Sequence, residues 1–114
     1  MSCPPQTTIK RGQQLNVEID WQNTGTTSHA FDLIFLVGYI DAQGVFQPEY
    51  FNYVLDVPSN PGEAKTTTIS FTIPPDAPTG TRSGLGIIGD YDPATGNLTA
   101  LYAYLLCQDS LVIQ

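Results

Sequence analysis

The stretch that decides the fold is residues 15–25, LNVEIDWQNTG. Leu15, Val17, Ile19 and Trp21 alternate with Asn16, Glu18, Asp20 and Gln22, and Asn23-Thr24-Gly25 then ends the pattern. Successive side chains of an extended strand point to opposite faces, so this spacing makes one face apolar and the other polar. A helix would need apolar residues at i, i+3, i+4 and i+7, and nowhere does the chain sustain that over three turns.

The same beat runs outward in both directions. Before it, residues 7–10 predict a short strand closed by Arg11-Gly12. After it, residues 30–41 predict the longest one. Phe31, Leu33, Phe35, Val37 and Tyr39 share the face expected to meet the core. Ile34, Leu36 and Ile40 share the other, which ought to be polar if that face were solvated. This apolar second face is the main anomaly of the sequence. A central strand covered by a loop or a neighbouring segment would account for it, and that is the favoured reading. The sharper alternative is a surface that docks on another protein, because sizeable exposed apolar patches mark interfaces.

Asp41-Ala42-Gln43-Gly44 reads as a turn into residues 45–57, an aromatic-rich run interrupted by Pro48, which suits an edge strand or a bulge. Residues 65–73, KTTTISFTI, alternate again, with Thr67, Ile69, Phe71 and Ile73 inward. Residues 82–91 form a glycine-rich strand whose Gly84, Gly86 and Gly89 suggest bulging or close backbone approach. Residues 98–106 and 109–114 complete the set. Six to eight short strands with turn signals between them predict an all-β fold, an antiparallel β-sandwich of about seven strands. Residues 1–12 read as an N-terminal arm with the first short strand, and residues 13–114 as a single sandwich domain.

The totals agree with one domain: 114 residues, 41% hydrophobic, only 13% charged. Eleven acidic residues against four scattered cations (Lys10, Arg11, Lys65 and Arg82) give a formal net charge of −7, with no basic patch to hold phosphates. Nucleic acid is therefore not an expected partner. No apolar run approaches the roughly 20 residues that span a bilayer, so membrane insertion is not expected either. Residues 1–12 carry no apolar signal-peptide core. Two origins fit: a complete product made without a secretion signal, or a module cut from a longer secreted chain.

Little in the sequence suggests catalysis. His29 is the one histidine, and Ser28 lies beside it, but neighbours on a strand rarely face each other and no acid is placed nearby to orient the ring. A plain exposed histidine is the expectation. Two distant cysteines and one histidine make no zinc cage. Asp90, Asp92 and Asn97 offer oxygen ligands in one loop, yet Pro93 and Ala94 stand where a calcium loop needs further ligands. Asx-turn residues are the preferred reading. Cys3 and Cys107 either tie the two ends of the chain as a disulfide or remain free thiols, and spacing alone leaves both open. Tyr50, Phe51, Tyr53, Tyr91, Tyr102 and Tyr104 could stack on sugar rings, although cross-strand pairing and protein contact are commoner uses of such residues.

Three segments together form a recognisable order: VEIDWQNTGTTSHAFDL, then NPGEAKTTTISFTIPPDAPTGT, then the terminal DSLVIQ. The order resembles that of the cell-adhesion-related (CARDB-like) domains and their immunoglobulin-like relatives over residues 13–114. The resemblance implies an immunoglobulin-like sandwich used as a spacer, stalk, adhesive unit or particle decoration. The expectation is a non-enzymatic, cofactor-free structural protein. It would be a virion-surface subunit, such as a capsid decoration or fibre protein, oligomeric or part of a larger assembly. The alternative is an extracellular adhesion or carbohydrate-binding module. The expected contact residues are Ile34, Leu36, Ile40, Tyr50, Phe51 and Tyr53, or a terminal arm at residues 2–8.

Overall fold

The computed structural model describes Cys3 and residues 5–114. Every element among them is a strand: β1 Thr7–Ile9, β2 Gln14–Gln22, β3 His29–Ile40, β4 Phe46–Ser59, β5 Ala64–Thr72, β6 Gly80–Asp92 and β7 Asn97–Ile113. They form a five-stranded sheet, ordered β1-β7-β6-β3-β4, and a two-stranded sheet of β2 and β5. The fold is all-β and sandwich-like.

β2 is the strand of the opening stretch. Its burial alternates without fault along Gln14–Gln22. It pairs with β5 in one unbroken antiparallel register, from Gln14 opposite Thr72 to Gln22 opposite Ala64. Leu15, Val17, Ile19 and Trp21 thereby join Ile69 and Thr67 over the inner face of the large sheet, where Phe31, Leu33, Phe35, Val37 and Ile88 lie. Trp21 packs edge-on against Phe31 at 5.4 Å and donates its indole N–H to Thr67 Oγ1 at 2.9 Å. A buried indole needs such an acceptor.

Asn23 stops the strand by redirecting hydrogen bonds. Its Nδ2 donates to the carbonyls of Thr27 and Ser59, and its Oδ1 accepts the Gly25 N–H. One buried amide thus ties the β2–β3 loop to the end of β4. Beyond it, β3 is the central strand, flanked by β4 and β6.

Gly84 explains the glycine-rich character of β6 where it meets the core. A Cβ there would lie 2.5 Å from Phe35 Cζ, so the Phe35 ring rests on bare backbone. Two expectations need correction. β1 runs parallel to β7, Thr7 opposite Leu111 through Ile9 opposite Ile113, so the sheet is not wholly antiparallel. The last two expected segments are one strand, β7, bent where Asp109 takes φ 52° and donates its N–H to Ser83 Oγ.

Candidate functional site

The residues expected to make contacts separate by strand parity. β4 pairs with β3 so that Tyr53 stands opposite Ile34 and Phe51 opposite Leu36, while Tyr50 stands opposite Val37. Tyr50 therefore points inward and packs against the core. Phe51 and Tyr53 point outward, their rings stacked at 6.4 Å. The sequence predicts all three as contact residues; the pleat divides them.

Following the outward positions across the sheet extends the anomaly of β3 to three further strands. Ile34 faces Ile87 on β6, which faces Tyr104 on β7; Leu36 faces Leu85, which faces Leu106. Two complete rows result, Tyr53-Ile34-Ile87-Tyr104 and Phe51-Leu36-Leu85-Leu106. Neither row contains a charge. Ile34 is buried between its neighbours, but Phe51, Leu101 and Tyr104 are 55, 53 and 66% exposed, so solvent reaches both flanks of the face. Tyr91, within 5.3 Å of Tyr53, and Leu101, opposite Gly89, continue it toward the β6–β7 loop. Ile40 lies two residues beyond Gly38, half-buried at the far end of β3.

One carboxylate sits on this side of β3 and is fully engaged. Asp32, 7% exposed, accepts the Asp56 N–H at 2.9 Å and the Tyr91 N–H at 2.7 Å. It clamps β3 to irregular backbone in β4 and β6. The residue that interrupts an otherwise apolar run is a structural staple.

The other polar constellation corrects the reading of His29. Asp90, 61 residues away in sequence, lies 2.7 Å from its Nε2, and Tyr102 donates its hydroxyl to the second Asp90 oxygen at 2.7 Å. The ring also packs edge-on against Phe31 and Tyr102. An acid does orient this histidine. Ser28 does not join it: its hydroxyl donates to Asn60 Oδ1. The cluster borders a cleft of about 340 Å³ that also meets Trp21, Asn23 and Thr27.

The hydrogen bond from His29 holds the Asp90 carboxyl below the ordinary carboxylate range, and burial opposes it more weakly. The hydrogen bond that Tyr102 donates to Asp90 raises the Tyr102 hydroxyl above its ordinary value. A carboxyl depressed on folding contributes stability above its unfolded pKa, and that contribution is lost as pH falls through the folded value. Thermal melts between pH 5 and pH 2 should therefore show a shallower acid decline for Asp90→Asn than for the wild type. Equal slopes would contradict the pairing.

Of the three candidate oxygen ligands, Asp92 stands opposite Asn97 in the β6–β7 ladder. Asp90 is engaged as above, and Asp92 Oδ1 accepts the Ala94 N–H in an Asx turn. Among the described residues no group of three or more His, Cys, Asp or Glu side chains could hold a metal. Cys3 and Cys107 are brought together as a disulfide with Cα atoms 5.5 Å apart. No described helix is long and apolar enough to cross a membrane. Comparison with family models, curated proteins and solved structures finds no match to this chain.

Proposed function

We propose that this chain is a non-enzymatic structural protein that works by docking the outer face of its large sheet on another protein, in the first place a second copy of itself. The observation that carries this reading is the pair of charge-free rows across β4, β3, β6 and β7. The chain bears a formal net charge of −7, so two copies repel over most of their surface. The two rows are where they can meet without opposing exposed carboxylates. Four strands about 4.8 Å apart and two rows about 6.7 Å apart give on the order of 250 Å² before side-chain relief is counted. A standard interface buries ~800 Å² per partner, so the rows form its centre, with Tyr91 and Leu101 extending it.

An immunoglobulin-like connectivity belongs to the same reading. Strands β7, β6, β3 and β4 beside one another, facing β2 and β5, correspond to the large sheet and a reduced partner sheet of that architecture. A capsid decoration or fibre subunit is the setting such a domain suits. The Cys3–Cys107 disulfide supports a final location outside a reducing compartment.

The second reading, an extracellular carbohydrate-binding module, is favoured by the cleft beside Tyr102. That ring is 52% exposed and has a carboxylate and an imidazole at hand.

Sizing tests the first reading. The wild type should dimerise with concentration, and Leu85→Lys should raise the dissociation constant at least ~30-fold, because symmetry introduces the charge twice at the centre of the face. A wild type that stays monomeric at every concentration, or a variant that associates equally well, would refute it.

A further inference from the structure

The two sheets are unequal, five strands against two, and the shortfall leaves β2 with a neighbour on one side only. Which main-chain groups face the open side follows from the bonds at the ends of the ladder. Asn23 donates its N–H to the Glu63 carbonyl at 3.1 Å, and Ile73 donates to the Gln13 carbonyl at 3.0 Å, so the odd-numbered residues of β2 bond to β5. Asn52 Nδ2 donates to the Ser70 carbonyl at 2.6 Å, which shows that Ser70, opposite Asn16, turns its carbonyl away from β2. By the alternation of an antiparallel ladder, the N–H and C=O groups of Gln14, Asn16, Glu18, Asp20 and Gln22 point outward. No described residue bonds to them.

Proteins commonly blunt such an edge with proline, lysine, bulges or brevity. The β4 edge has Pro48, two register shifts and Asp56 at φ 56°. β2 has nine regular residues with no proline, no lysine and no bulge, and its two charges are the acids Glu18 and Asp20. Beside it runs a cleft of about 420 Å³, bordered by Leu15 and Val17 of β2, by Phe35 and Val37 of β3, by Leu111 of β7 and by Cys3, Pro5 and Thr7 of the N-terminal arm. Glu18 and Asp20 stand exposed along its rim, and among the described residues neither has a cationic partner. Among the described residues Asp20 accepts only the Thr66 hydroxyl.

We infer that the open edge of β2 is a binding site for an extended peptide segment that alternates small apolar with basic residues. The segment adds as a third strand to the β2–β5 sheet. Its N–H and C=O groups bond the even-numbered residues of β2. Because facing residues on neighbouring strands share a side of the sheet, positions opposite Glu18 and Asp20 take Lys or Arg, and positions opposite Leu15 and Val17 take apolar side chains that enter the cleft. A second copy of β2 is a poor occupant. Antiparallel pairing about its centre sets Glu18 against Glu18, and like charges directly opposite destabilise. This site is independent of the sheet face described above.

The probe is a nine-residue peptide alternating valine and lysine, labelled and titrated onto the intact, disulfide-bonded chain. Saturable binding is expected. Glu18→Gln/Asp20→Asn should weaken it ~10-fold, as two exposed charge pairs allow, whereas Asp56→Asn/Asp76→Asn, equal in charge change, should leave it unaltered. Amide exchange at saturation should slow at Asn16, Glu18 and Asp20. Equal weakening by both double variants would mean attraction to net charge alone and would overturn the inference. Unchanged exchange at those three amides would do the same.

Discussion

Replacing Asp32 with alanine is expected to cost on the order of 4 kcal/mol, a large share of the 5–15 kcal/mol typical of such domains. The carboxylate is 7% exposed and accepts two main-chain N–H groups, from Asp56 on β4 and Tyr91 on β6. Bonds to a charged acceptor contribute about 1.5–3 kcal/mol each, and each donor left buried without a partner adds its own desolvation cost. Asp32→Asn makes the sharper comparison, because its amide can accept one N–H while its own N–H₂ confronts the other. It should fall between alanine and the wild type. Guanidinium titrations measure all three. An alanine variant within about 1 kcal/mol of the wild type would show that water replaces the carboxylate without difficulty.

The second large effect concerns the ends of the chain. The Cys3–Cys107 bridge closes a loop with a sequence separation of 104. On chain-entropy grounds a loop of that length constrains the unfolded chain by about 4–5 kcal/mol. Cys107 is buried, so Cys107→Ala preserves an apolar filler while opening the loop. Its denaturation midpoint should drop to that of the reduced wild type. The β1–β7 pairing has only three residue pairs. Without the bridge it should exchange amide protons faster at Thr7, Thr8 and Ile9 than β2 does. An unchanged midpoint on reduction would remove the bridge from the account.

These two predictions also show what the sequence makes legible. Alternation alone places β2, β3 and β5 within a residue or two, because period-2 burial is a local property of a half-buried strand. It also carries the apolar second face of β3, and the parity that separates Tyr50 from Phe51 and Tyr53 was available there too. The extent of that face was not, since joining Leu85, Ile87, Tyr104 and Leu106 to Ile34 and Leu36 requires the pairing register between strands far apart in sequence. Asp32 reads as an interruption because its donors lie 24 and 59 residues away. Asp90 escapes notice beside His29 for the same reason. The parallel β1–β7 pair rests on three residues and leaves no periodic trace.

Hydroxyl-radical footprinting across a concentration series tests the docking face most directly. With rising concentration, Phe51, Leu101 and Tyr104 should lose reactivity together, while Tyr39 and Val45, 44 and 53% exposed and outside the two rows, should keep theirs. Constant reactivity at all five residues, or uniform protection of all five, would contradict the account.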